Sequence, residues 1–324
     1  MTSTTSDHAP EGKLEGGRLP WRVGDIVFYG LTAAAAASTL GLVVWLSVKV
    51  VAQAWGAIEE FGLSFIWTVA WDPVSQSFGA LDFIYGTVVT SFIALAIATP
   101  MSIAIALFLT ELAPRWIRGP VGTLIELLAA IPSVILGLWG ILVFGPWVAQ
   151  HLEPWLNKWF GFLPMFDGQP SQAGLLPAAL VLTIMIIPIT SSICRELFSR
   201  VPRDLSDGAL ALGATRWETI RGVTIPYAGP GIVAAVLLGL GRAFGEAIAV
   251  TQVIGAGSGI PQSWFEPADT LASRIASQYQ GAVSGLQIDS ILYLAAILLV
   301  ISLITNVAAQ AVVRRFERSR GAIS

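Results

Sequence analysis

The sequence predicts an all-α integral membrane protein with six transmembrane helices and both termini in the cytoplasm. Three observations carry that expectation. Of 324 residues, 55% are hydrophobic and 12% charged, about half the charged share of an ordinary soluble domain, and the mean hydropathy is +0.72. Six apolar stretches approach the roughly 20 residues that a helix needs to cross a bilayer. The Lys and Arg residues gather on alternate connections. Together these exclude a soluble globular protein, because its outside would need charge. A net charge of -3 excludes a nucleic-acid binder, and one Cys (Cys194) with two His (His8, His151) excludes a disulfide framework and a His/Cys metal cluster.

Residues 1–26 are polar, rich in Ser and Thr with some Pro and Gly, and show no small-residue cleavage site after a short apolar run. They read as a cytoplasmic tail and not as a signal peptide. The membrane body, 27–313, holds spans at 27–48, 84–109, 121–144, 174–193, 231–253 and 290–313, and 314–324 is a basic cytoplasmic tail. Fourteen Lys and Arg lie in the two tails and in the second and fourth connections, against three (Lys49, Lys158, Arg274) in the others. That asymmetry sets the orientation. Pro100, Pro132 and Pro188 fall inside the second, third and fourth spans, where each removes a backbone hydrogen bond and is expected to kink or break its helix. Broken helices line transport cavities, although proline is also simply commoner in membrane helices.

The fourth connection, 194–230, is the most informative. A loop this long is functional or disordered, yet helix signals fill it. Asp204 is placed to cap a short helix with Leu205, Ala209 and Leu212 on one face, and Gly213 supplies a left-handed stop. Thr215 and Glu218 form a capping box that opens a second helix through Arg221, which Ile225-Pro226 ends before the fifth span. A rigid helix-glycine-helix hook suits a partner's groove; the same pattern also fits an amphipathic hairpin lying on the membrane.

Asp207-Gly208-Ala209, then Gly213, with Ile225-Pro226 downstream, resembles the "EAA" loop of ABC importer permeases, with Asp207 in place of Glu and Gly208 in place of Ala. The glycine weakens its helix by roughly 1 kcal/mol. The stretches Phe78 to Ser91, Leu107 to Pro114, Ile125 to Gly140, Leu212 to Ile220 and Leu238 to Val250 resemble the PstC family of phosphate-specific, binding-protein-dependent ABC importer permeases, and the resemblance runs from Val27 to the carboxyl tail. It implies a type I ABC importer permease fold with a cytoplasmic coupling helix. It also implies a PstA-like sister permease, a PstB-like ATPase dimer that uses ATP and Mg, and a PstS-like extracytoplasmic phosphate-binding protein. Asp207, Gly208, Ala209, Gly213, Thr215, Glu218 and Pro226 would couple to the ATPase. The chain itself binds no cofactor in that scheme and sits, multi-pass and surrounded by lipid, in a bacterial or archaeal cell (inner) membrane.

Within the spans, Arg242 stands near the middle of the fifth, where a lone Arg costs about 2.5 to 3.5 kcal/mol, and Glu246 is its i, i+4 neighbour. The pair is either a packing feature or a substrate path in which Arg242 meets anion oxygens with a planar fork while Glu246 orients and partly neutralises it. Thr87, Thr90 and Ser91 give the second span a hydroxyl face that either lines the path or bonds back to its own helix. Glu126 reads as snorkelling to the interface, and Gly255 to Gly259 as a flexible extracytoplasmic exit. No Walker A motif and no HExxH occur, and no span holds a His, so the chain is expected to be non-catalytic, with hydrolysis on another subunit. A secondary ion-coupled anion transporter, with Arg242 and Glu246 as its coupling pair, is the alternative from another class. Sulfate or another oxyanion is the alternative substrate, since one Arg does not separate tetrahedral anions.

Overall fold

The structure, a computed structural model, describes residues 23–321, with side chains from 24 to 314. Most of the polar amino tail and the side chains of Arg315, Arg318 and Arg320 lie outside the described residues. Residues up to 48 form one compact unit and those from 49 onward another. The described residues of the first unit form a single helix, the body of α1 (Val23–Gln53). Apolar side chains ring it, Phe28, Leu31, Leu40 and Trp45 each more than half exposed, as expected of a helix whose surroundings are lipid.

After α1 the second unit opens with two short helices, α2 (Trp55–Phe61) and α3 (Ser64–Trp67), and a hairpin, β1 (Trp71–Asp72) paired antiparallel with β2 (Ser77–Phe78). Helix α4 (Leu81–Leu107) continues through a π-helical turn, Phe108–Leu112. Next come the amphipathic α5 (Arg115–Ala129) and then α6 (Ser133–Trp139), α7 (Gly145–Trp147) and α8 (Glu153–Phe160), joined end to end by π-helical turns. Helix α9 (Leu175–Ser199) leads to α10 (Arg203–Ala211) and α11 (Arg216–Thr219). The chain closes with α12 (Ile225–Gly245), α13 (Ile248–Val253), α14 (Leu271–Gln278) and α15 (Gly285–Gly321).

Among the described residues, six helical stretches are long and apolar enough to cross a membrane: Gly24–Gln53, Leu81–Leu112, Ser133–Phe160, Leu175–Ser199, Arg216–Gly245 and Gly285–Arg314. Six spans were expected, and several bounds move. The stretch 121–144 is not one helix. The chain breaks before Pro132, whose ring disfavours a helical residue ahead of it, and Pro132 instead starts α6 from its N-cap position. Pro100 and Pro188, by contrast, sit inside continuous helices. The fifth stretch begins at Arg216 and ends at Gly245, not at 231 and 253. Ile225-Pro226 fails to stop it because a π-helical turn, Ile220–Thr224, precedes the proline; Ile225 N–H bonds the carbonyl of Ile220, and the wider turn accommodates the ring. The loop expected at 194–230 is therefore much shorter, since α9 reaches Ser199. Lys49 lies within α1, and the helix expected to begin at 290 begins at 285.

Helix α4 packs along α9, and α12 lies against α9, α4 and α15. Small residues allow the close approach: Ala94, Ala98, Ala178, Ala179 and Ala243 are buried in one core with Leu182 and Ile186. A second core gathers Phe65, Phe78, Phe83, Leu271 and Leu294, with Phe65 stacked on Tyr293 at 4.5 Å. A third, around Ala106, Cys194, Phe198 and Ile220, sits at the end of the bundle that carries α10 and α11.

Candidate functional site

The hook forms, with one change of cap. Pro202, not Asp204, occupies the N-cap of α10, and Leu205 N–H bonds its carbonyl at 3.2 Å. Proline's fixed φ preorganises the entry, which leaves Asp204 in the first turn, where a negative charge suits the helix dipole. Gly213 has φ +91°. Ala214 N–H bonds Ala209 O at 3.1 Å and Gly213 N–H bonds Leu210 O at 3.0 Å, the paired closure of a Schellman motif. The capping box is complete: Glu218 N–H donates to Thr215 Oγ1 at 3.3 Å and Thr215 N–H donates to Glu218 Oε2 at 2.7 Å. No residue of α10 is buried. Asp207 and Gly208 are exposed, Ala209 is half-buried, and Leu205, Leu210, Leu212 and Trp217 stand out with 46%, 43%, 91% and 64% exposure. Among the described residues, nothing covers this apolar ridge on a rigid, charged hook.

Arg242 and Glu246 occupy a helix break and not the middle of a continuous helix. Arg242 lies in the last turn of α12, where the free carbonyls favour a cation. Glu246 leaves helical geometry (φ −76°, ψ 105°), and its Oε1 accepts the Ala249 N–H at 3.3 Å, supplying a cap to α13. Its Oε2 is 4.0 Å from Arg242 Nη2, with the side chains 9% and 38% exposed. At that separation the charges attract without hydrogen-bonding, so the guanidinium fork keeps its donors.

The three hydroxyls of α4 are placed differently. Thr87 donates to Phe83 O at 2.7 Å and accepts from Leu271 N–H at 2.9 Å; Thr90 donates to Gly86 O at 2.6 Å; Ser91 is buried with no partner among the described residues. All three are 1% exposed. This face packs on the 269–271 segment, so Thr87 and Thr90 are committed within the chain and do not line an open path. Gly86 makes the contact possible, because a Cβ there would collide with the Asp269 carbonyl.

Three features escaped the sequence reading. Glu126, its side chain 58% exposed, accepts from Arg195 Nη2 of α9 at 2.7 Å, and a Cβ at Gly122 would collide with the Arg195 guanidinium. The 255–259 stretch is pinned, not flexible. Gly257 N–H bonds Ala268 O at 2.9 Å, Gly259 N–H bonds Asp82 Oδ2 at 3.2 Å, and Arg274 reaches Gly257 O at 3.2 Å. Arg274 in turn lies 2.9 Å from Asp269 Oδ2 and 4.6 Å from the ring centroid of Phe83. Burial pushes the Asp269 carboxyl above the usual range, and the Arg274 charge opposes that rise. Arg274 being the lone basic residue of its connection was the available signal.

The family described as binding-protein-dependent transport system inner membrane component matches residues 98–319. The chain belongs to this family. It is thus a multi-pass permease subunit of the inner membrane. The phosphate transport system permease protein PstC of Pasteurella multocida is 43% identical over 95% of this chain and 98% of its own length. That of Mesorhizobium japonicum is 42% identical over 92% of each, and an archaeal relative, the probable PstC of Methanocaldococcus jannaschii, is 36% identical over 78% of this chain and 81% of its own. A solved bacterial alginate ABC transporter chain superposes with a TM-score of 0.59 at 19% identity, covering 90% of this chain and 96% of that one, which places this permease in the ABC importer permease fold.

Proposed function

We propose that this permease is the transmembrane subunit of an ATP-driven phosphate importer, and the observation that carries the reading is the 43% identity to a phosphate-system permease across nearly the whole length of both chains. Both termini and the hook face the cytoplasm, as the Lys and Arg asymmetry requires. The hook docks in an ATPase of the PstB type through Leu205, Leu210, Leu212 and the coupling residues Asp207, Gly208, Ala209 and Gly213, while Thr215 and Glu218 hold its second helix. Because Arg216–Gly245 is one helical stretch, displacement of the hook moves Arg242 as part of the same rod. Pro226 lies beside the π-helical turn of that rod.

In this reading Arg242 meets the phosphate oxygens at the helix break, where its fork forms paired charge-assisted hydrogen bonds. Glu246 holds the cation in place and weakens the site enough for release. A PstA-like permease completes the path, a PstS-like protein delivers phosphate from outside, and ATP with Mg belongs to the partner ATPase and not to this chain. The test is ATP hydrolysis by the reconstituted complex. Phosphate with its binding protein is expected to stimulate it, and stimulation by sulfate but not phosphate would overturn the substrate.

A further inference from the structure

Glu153, the first residue of α8, is 0% exposed and lies inside the third membrane-crossing stretch, Ser133–Phe160. An acidic side chain in such a place is expensive to keep. No cation among the described residues pairs with it. Its Oε2 accepts a single bond, from the Ser171 N–H at 2.7 Å, and its Oε1 is buried with no partner among the described residues. A carboxylate taken out of water calls for a cation and several donors. The arrangement therefore makes use of an acceptor oxygen and not of a charge.

From Ser171 a run of hydrogen bonds leads to the helix break. Ser171 gives its hydroxyl to Ala173 O at 2.8 Å, and the Gly174 N–H donates at 3.0 Å to the carbonyl of Val253, the last residue of α13. At the other end of α13 Glu246 Oε1 accepts the Ala249 N–H, and Glu246 Oε2 faces Arg242 at 4.0 Å. Two glycines let the 171–174 segment close on its neighbours: a Cβ at Gly145 would collide with Gln172 O, and one at Gly174 with Phe265 O. Helix α13 also packs on α6, where a Cβ at Gly137 would stand 2.9 Å from Ala249 Cα. Because α6 and Glu153 belong to one helical stretch, that stretch grips α13 twice, directly at Gly137 and through Ser171 and Gly174 at Val253.

We propose that Glu153 is a positioning residue of the transport site: through Ser171 and Gly174 it fixes the Val253 end of α13, and with it the Glu246 carboxylate that faces Arg242. The inference rests on the reading of Arg242 as the phosphate ligand. Glu153 itself does not meet the anion. Removing its acceptor strands the Ser171 N–H, which loosens the 171–174 segment and frees the helix that it holds. Contiguous hydrogen-bonded, packed runs of this kind carry coupling between separated sites.

The full chain is reconstituted with the subunits that co-purify, and the wild type is compared with Glu153→Gln, Glu153→Leu and Arg242→Gln for amide hydrogen exchange and for phosphate taken up per ATP hydrolysed. Gln keeps an acceptor and removes the charge, whereas Leu fills a similar space without an acceptor. The Gln variant is expected to keep wild-type exchange and a wild-type transport ratio. The Leu variant is expected to exchange roughly tenfold faster over 171–174 and 247–253, the loss of about one hydrogen bond, and to carry less phosphate per ATP in a complex that still assembles. A carboxyl with a merely structural role would lower assembly and uptake together and leave the ratio unchanged; that result overturns the proposal, as does wild-type exchange over 247–253 in the Leu variant. Equal losses with Gln and Leu also overturn it, since charge would then be what matters. Where the Leu variant does not assemble, Glu153→Asp carries the test, because it withdraws the oxygen by one methylene; wild-type exchange and ratio there overturn the assignment. Undiminished uptake in Arg242→Gln overturns the reading of Arg242 as the ligand, and the exchange over 247–253 then decides the Glu153 link by itself.

Discussion

Arg242 and Glu246 stand 4.0 Å apart at the end of α12, which separates two roles that a double-mutant series can tell apart. Glu246 caps α13 through the Ala249 N–H, and a Gln at 246 retains an acceptor oxygen for that bond. Arg242→Gln alone strands the carboxylate at 9% exposure and is expected to lower both stability and phosphate uptake. The uptake loss should be roughly tenfold to a hundredfold, matching the ~1.5 to 3 kcal/mol of a hydrogen bond to a charged group. Adding Glu246→Gln removes the stranded charge and should restore stability without uptake, measured as yield of assembled complex against transport rate. Near wild-type uptake in the double variant would reduce the pair to a packing feature.

At the scale of the element, the hook is a hinge made rigid by backbone chemistry. Gly213 carries φ +91°, and a Cβ built there meets nothing within 4 Å. The penalty for Gly213→Val is therefore conformational, about 1 to 2 kcal/mol for a left-handed residue, and not a clash. Membrane insertion should persist while co-purification of the ATPase falls. Gly208→Ala is the internal control. Its Cβ also meets nothing, the residue lies inside α10, and helix propensity improves by about 1 kcal/mol, so docking should be retained. Loss of docking in the control, or normal docking with Val at 213, would argue against the corner as the coupling geometry.

Across the whole molecule, Arg274 ties α4, the 254–270 segment and α14 into one block, being buried against Asp269 and Phe83 and bonded to Gly257 O. Arg274→Gln leaves Asp269 unpaired, a change that typically costs about 3 to 5 kcal/mol for a buried pair, and should raise hydrogen exchange over 254–284 while sparing 203–224. The Asp269 carboxyl already titrates above its ordinary value. A raised folded value means that its proton stabilises the fold at low pH and that this contribution is lost as pH rises through the folded pKa. Removing the cation raises that value further, so acidification should partly restore protection in the variant; protection unchanged by pH would refute the linkage. The sequence by itself determined that lipid is the solvent, that six helices cross it, that Gly213 turns the hook and that Thr215 with Glu218 caps it. Each of these follows from composition or from interactions within a few residues. Only the tertiary structure decided the rest. Pro132 breaks its helix, Pro100 and Pro188 do not, and a π-helical turn carries the chain past Pro226. Glu126 finds Arg195 on another helix, and the Thr87 hydroxyl accepts the Leu271 N–H. Such partners are distant along the chain, and no local spacing encodes them.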